Sequence, residues 1–271
     1  MKYVIGIDIG GTNLRIGTVD EEGNLTNFER KSSESLVSEG AVENLGNEVK
    51  SYIERYKLEG RVGAISVGVP SMVSKDKSFI YSTPNLKGLE NIDLGHLLGD
   101  YVNIPVFVDR DVNYLLVNDI KTHGLDPDRE RTILGFYLGT GFGNAVYING
   151  QLHVGKNGVA GELGHIPMYG IEEACTCGNI GCSETRCSGR YLRYLTDTYF
   201  PDTDISEVFV KHGDDPRIQE YVDTLAIPMA TEINILDPDY VIMAGGVMVM
   251  DGFPMDRMIR AIKERARKPF P

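Results

Sequence analysis

Twice in this chain a strand-like run breaks at clustered glycines and resumes as a second strand-like run. Residues 3–9 (YVIGIDI) are apolar and carry Asp8, Gly10-Gly11-Thr12-Asn13 interrupt, and residues 14–20 (LRIGTVD) alternate again. Residues 131–139 and 144–150 flank GTGFG, 139–143, in the same way. A P-loop or a dinucleotide-binding fold requires strand, glycine loop, then helix. Strand–turn–strand instead reads as a hairpin whose turn N–H groups can face a phosphate, although a plain hairpin turn has the same signature. Helical spacing follows over 40–57, with Val42, Leu45, Val49, Tyr52, Ile53 and Tyr56 on one face. A buried strand (62–70), an irregular stretch (71–104) and a short strand (105–109) come next, then a helix starting near Val112. Later residues read as helices at 188–200 and 216–236, a strand ending in Gly245-Gly246, and a helix near 254–267. One device used twice implies two similar α/β domains facing a cleft, 1–117 and 118–271, with one phosphate turn from each.

The second constraint is chemical. Cys175, Cys177 and Cys182 lie within eight residues, with His165 ten residues before the first of them and Gly178 and Gly181 between the last two. Glycines there allow the tight folding that turns several sulfurs toward one point. Three thiolates and an imidazole match a closed tetrahedral zinc site, which leaves no position for a reactive water. A disulfide and unliganded thiols are the alternatives. A metal would fix His165 and, close by, Glu162, and the two would then point at something polar. A sugar fits, because a carboxylate accepts hydroxyl protons and sets their orientation. Cys187 is left over as a spare thiol.

The short strand 105–109 delivers Arg110, Asp111 and Asn113 to its carboxyl end, where open α/β folds bind ligands. Asp111 reads either as a base or as the N-cap of the helix that follows. The net charge of −12 argues against a nucleic-acid or membrane-surface partner, both of which call for basic patches. The apolar opening is too short, and too soon interrupted by Asp8, for a signal peptide or a membrane span. The chain is therefore expected in a reducing cytoplasm, where clustered thiols usually mean metal.

DIGGTN, the Asp-x-Asn after a strand, GTGFG, GELGH and CTCGNIGC together resemble the ROK family of sugar kinases and sugar-responsive repressors. The resemblance covers nearly the whole chain, and GELGH followed by CxCGxxGCxE is its most specific part. It implies an α/β, actin-like ATPase (ribonuclease H-like) fold and ATP-dependent phosphorylation of a hexose 6-hydroxyl. It makes Asp111 the base. It places ATP on Asp8, Gly10, Gly11, Thr12, Asn13, Gly139, Thr140, Gly141, Phe142 and Gly143, with Gly245 and Gly246 against the adenosine and Mg2+ near Asp8. It gives sugar hydroxyls to Asn85, Asn113, Glu162, His165 and Glu184. It gives structural zinc to His165, Cys175, Cys177 and Cys182, with one ring nitrogen of His165 for each task. A homodimer is expected. The family's usual Asn before the catalytic Asp is replaced here by Arg110. An axial 3-hydroxyl needs a differently placed donor from an equatorial one, so Arg110 points to D-allose over glucose; the alternative is an Arg110 turned outward to Asp109 or Asp119. Other hexoses of the family (glucose, fructose, N-acetylmannosamine) and a sugar-binding regulator without phosphotransfer are the rival readings. A repressor would need a helix-turn-helix before Tyr3.

Overall fold

The computed structural model describes residues 2–83, 86–125 and 130–269. Its strands are β1 (Tyr3–Ile9), β2 (Asn13–Val19), β3 (Leu25–Ser32), β4 (Val62–Val69), β5 (Met72–Val73), β6 (Ile80–Ser82), β7 (Val106–Arg110), β8 (Thr132–Leu138), β9 (Phe142–Ile148), β10 (Gln151–Leu152) and β11 (Tyr240–Ala244). The α-helices are α1 (Ala41–Arg55), α2 (Leu94–Val102), α3 (Asp111–Thr122), α4 (Gly189–Tyr199), α5 (Val208–His212), α6 (Pro216–Leu236) and α7 (Met255–Arg265).

The chain divides into two compact units, 1–115 with 154–160, and 116–153 with 161–271. A single boundary at 117/118 is therefore not enough, because residues 154–160 belong with the first unit. Unit one holds a five-stranded sheet in the order β3-β2-β1-β4-β7. Its first three strands form an antiparallel meander, and β4 and β7 add in parallel to β1. Alternation on β1 buries Ile5, Ile7 and Ile9, and α1 lays Leu45, Val49 and Tyr52 into the same core. Each such side chain is worth about 1.5–3 kcal/mol when fully withdrawn from water. Unit two repeats the plan with β10-β9-β8-β11, antiparallel through β8 and parallel from β8 to β11. Leu134, Phe136 and Leu138 of β8 pack in one cluster with Tyr221, Leu225 and Met229 of α6. Asp215 caps α6 by accepting from Arg217 N at 2.9 Å, Pro216 opens it, and Asp237 in the left-handed region ends it.

The stretch 71–104 is not irregular. It contains the β5–β6 hairpin and α2, whose cap Asp93 accepts from the His96 amide at 3.3 Å. Two glycines in nine residues hide this helix from a propensity reading. Gly95 is needed there, because a Cβ would come within 2.8 Å of Ser78 Cα.

Candidate active site

In unit one the first turn joins Ile9 to Leu14, which face each other across β1 and β2. Gly10 N donates to Asn13 O at 2.8 Å, and Thr12 O accepts from Ser33 N at 3.1 Å. The amides of Gly11 and Thr12 donate to nothing among the described residues and are the open donors of this turn. Asn13 already belongs to β2, and its side-chain oxygen accepts from Arg30 Nε at 2.9 Å. Asp8 sits opposite Arg15 in the strand register, and the two side chains form an ion pair of 2.5 Å. Sequence reasoning passed over Arg15. Its signal was the hairpin itself, which places the sixth residue of one strand against the third of the next.

β7 ends at Arg110 and α3 begins at Asp111. Asp111 is the first residue of the helix itself, and its carboxylate accepts from Val112 N at 2.8 Å within the first turn. Arg110 is buried, 6% exposed, and its Nη1 donates to Ala160 O at 2.7 Å. The outward-turned alternative does not hold: Asp109 accepts the Arg110 backbone amide, and Asp119 accepts from Tyr137 Oη. Asp109 is itself a buried carboxylate that the sequence reading assigned to the surface. Its Oδ1 also accepts from Asn113 Nδ2 at 2.7 Å, and its Oδ2 lies 3.1 Å from Lys77 Nζ in the β5–β6 turn. Asn113 is 4% exposed, and one of its two amide protons goes to Asp109. Its oxygen and its second amide proton remain to offer a ligand. Asn85 lies outside the described residues.

In unit two Leu138 faces Phe142 across β8 and β9, so the second turn is Gly139-Thr140-Gly141, with Phe142 and Gly143 in the strand. Gly139 N donates to Gly141 O at 3.1 Å, and the amides of Thr140 and Gly141 are open among the described residues. Phe142 N is not open: it donates to Glu184 Oε2 at 2.9 Å. The start of α4 closes against the turn from the other side, Gly189 N on Gly139 O at 2.9 Å and Arg190 N on Thr140 O at 3.0 Å. Gly245, at φ 106°, ends β11 beside the same turn, where a Cβ would press to 2.5 Å from Leu138 O; Gly246 faces open space.

A single 3-10 turn, Leu163–His165, carries the histidine, with Glu162 just before it. Glu162 Oε2 lies 3.7 Å from His165 Nε2, and His165 Nδ1 lies 3.7 Å from Cys175 Sγ. The ring thus turns one nitrogen to the carboxylate and the other to sulfur. The ligand atoms of His165, Cys175, Cys177 and Cys182 all fall within 4.8 Å of one another, and Cys177 Sγ is 3.6 Å from Cys182 Sγ. A tetrahedron built on metal–sulfur bonds of ~2.3 Å has edges of about 3.8 Å, so the donor set fits one four-coordinate ion. All four cysteines are free thiols, so the disulfide alternative is not formed. Burial, with the thiols of Cys177 and Cys175 adding to it, pushes the Cys182 thiol up to about 12. A dication among those sulfurs reverses that penalty. Gly178 and Gly181, at φ 95° and 79°, make the turn between the last two cysteines. Cys187 is outside the set: it is fully buried, faces Thr224 O at 3.6 Å, and burial raises its thiol to about 12, which keeps it unreactive.

Known proteins give this geometry a context. Glucokinase of Streptomyces coelicolor is 32% identical over 215 residues, a match that takes in 79% of this chain and 65% of that relative. N-acetyl-D-glucosamine kinase of Vibrio cholerae is 28% identical over 262 residues, covering 91% of this chain and 85% of that protein. The crystal structure of a ROK family glucokinase from Streptomyces griseus in complex with glucose and AMPPNP superposes with a TM-score of 0.80 at 26% identity. That superposition covers 99% of this chain and 92% of the other, and it places the fold with the actin-like ATPases. Among the described residues no helix is long and apolar enough to cross a membrane. A sequence model of the ROK family matches residues 4–271, and the chain belongs to that family.

Proposed function

We propose that this chain transfers the γ-phosphoryl group of ATP to the 6-hydroxyl of a hexose, D-allose foremost. The observation that carries the reading is the matched pair of turns: each β-hairpin, one per unit, leaves two consecutive backbone amides open among the described residues, Gly11-Thr12 and Thr140-Gly141. Consecutive open amides form an anion-binding concavity. The names of the relatives support hexose phosphorylation.

A sugar hydroxyl is a weak nucleophile at neutral pH, and Asp111, held by Val112 N, accepts its proton as attack proceeds. The open amides stabilise charge on the phosphoryl oxygens. Glu162, His165 and Glu184 orient the sugar through its other hydroxyls. Mg2+ neutralises phosphate charge when bound; Asp8 is the carboxylate beside the first turn, and its pairing with Arg15 leaves one oxygen for a metal-bound water. Zinc on His165, Cys175, Cys177 and Cys182 supplies no reaction step and fixes the loop from which His165 and Glu184 project.

The choice of D-allose rests on Arg110. The relatives named above act on glucose or N-acetyl-D-glucosamine, and the buried guanidinium at Arg110 supports a different hydroxyl pattern. The test is ADP release from ATP over allose, glucose, mannose, fructose, N-acetylmannosamine and N-acetylglucosamine. Highest kcat/KM on allose is expected. A preference for another hexose overturns the allose assignment alone, and no turnover on any sugar overturns the kinase reading.

A further inference from the structure

Glu184 has a sugar to hold in this reading, yet one of its oxygens is already engaged elsewhere. Oε2 accepts the amide of Phe142, the residue that follows the two open amides of the second turn. Gly141 is built around this contact: a Cβ there would overlap Glu184 Oε2. Glu184 is also rigidly placed. It lies in the short helix Ser183–Thr185, two residues after the metal-set residue Cys182. Ser183 Oγ donates to Leu163 O at 2.7 Å, and Ser183 N donates to Ile166 O at 2.9 Å, tying that helix to the turn that carries His165. The other oxygen, Oε1, has no hydrogen-bond partner among the described residues and is the one left for a sugar hydroxyl.

We propose that Glu184 couples the two substrates, a role that rests on the kinase reading: its carboxylate both receives the sugar and sets the charge and shape of the second phosphate turn. Without sugar, a bare carboxylate stands beside the amides that would receive phosphate, and like charges repel. A sugar hydroxyl donating to Oε1 disperses that charge and holds Oε2 on Phe142, which keeps the turn in its receiving shape. Sugar therefore strengthens nucleotide binding, and by linkage nucleotide strengthens sugar binding by the same factor. The empty enzyme binds ATP weakly and wastes little of it on water.

The experiment measures Kd by titration calorimetry for the preferred hexose and for a non-hydrolysable ATP analogue with Mg2+, each alone and with the other present. In the parent protein each ligand should tighten the other by a factor of roughly 5–150, the usual range for coupled sites. E184Q keeps an acceptor for Phe142 N but loses the charge. It should bind the analogue more tightly than the parent when sugar is absent, bind sugar more weakly, and lose the coupling. G141A alters a residue of the nucleotide turn and should nonetheless weaken sugar binding by about tenfold or more, because its methyl group evicts Oε2. Amide exchange at Phe142 should rise in G141A, and circular dichroism on both variants shows whether they are folded. An E184Q protein with unchanged or weaker analogue binding and parental coupling sinks the proposal. So does a folded G141A protein with parental sugar affinity. A parent protein that phosphorylates no sugar defeats the kinase reading itself, a result seen in the parent before any variant is made.

Discussion

Replacing Glu232 by glutamine tests the physics of the second unit. Glu232 of α6 is 9% exposed, and its Oε2 accepts from Asn144 Nδ2 of β9 at 2.8 Å. Burial raises its pKa from 4.5 to about 7, and the Asn144 hydrogen bond only partly opposes that. Between those two values the folded state holds a proton that the unfolded chain has released, so the folded state binds more protons. The stabilising contribution is fully present below about pH 4.5 and is lost as pH rises to about 7. A shift of that size corresponds to about 3 kcal/mol, at 1.36 kcal/mol per pKa unit. A glutamine side chain at this position cannot ionise. It can also form a paired amide with Asn144, whose buried Oδ1 has no hydrogen-bond partner among the described residues. The E232Q protein should therefore gain on its parent as pH rises, by about 2 kcal/mol between pH 5 and pH 8. With the second unit at roughly 150 residues, that is on the order of 5 °C in Tm. Scanning calorimetry at several pH values reads it, followed in the transition that moves. A stability difference that stays constant within about 0.5 kcal/mol across that range would refute the reasoning, because folding would then take up no proton at Glu232.

Three further outcomes are expected. Asp111→Asn should retain sugar binding while kcat falls by ~10²–10⁴, the worth of a positioned acid–base group; turnover within a few-fold of the parent removes Asp111 from the role of base. Protein purified without chelator should contain about one zinc per chain by elemental analysis, and Cys177→Ala should lose both the metal and sugar affinity; a metal-free parent ends the zinc reading. Arg110→Asn should shift the allose/glucose ratio of kcat/KM toward glucose by about tenfold, about 1.4 kcal/mol. It should also lower Tm, since the Ala160 carbonyl loses its buried donor; an unchanged ratio with a lower Tm leaves Arg110 a purely structural role.

Local pattern carried the sheets and the metal set. Strand alternation and two glycine turns are short-range signals, and Cys175, Cys177 and Cys182 lie close enough in sequence that few arrangements of the loop keep their sulfurs apart. α2 escaped because its close packing on Ser78 demands glycine at 95, which together with Gly99 weakens the helical signal. Asp109 escaped because nothing near it in sequence reveals that Lys77, thirty-two residues earlier, lies against its carboxylate. The two oxygens of Glu184 were not distinguishable either. A motif gives a residue one role, and only the packing of Phe142 N on Oε2 shows the second. Arg15 was readable in principle, since hairpin register alone sets it beside Asp8.

The passage of residues 154–160 into the first unit limits how the protein can be dissected or recombined. A fragment ending at 115 or 117 would omit the Ala160 carbonyl and leave the buried Arg110 guanidinium without that acceptor. It would also omit Gly158, which adopts φ 83° and lies so close to the β5–β6 hairpin that a Cβ there would overlap Val73 O. Expressing the halves separately, or exchanging them between relatives as modules cut once, would therefore mismatch a buried cation and a close backbone contact. A chimera that carries residues 154–160 from the same parent as residues 1–115 keeps both.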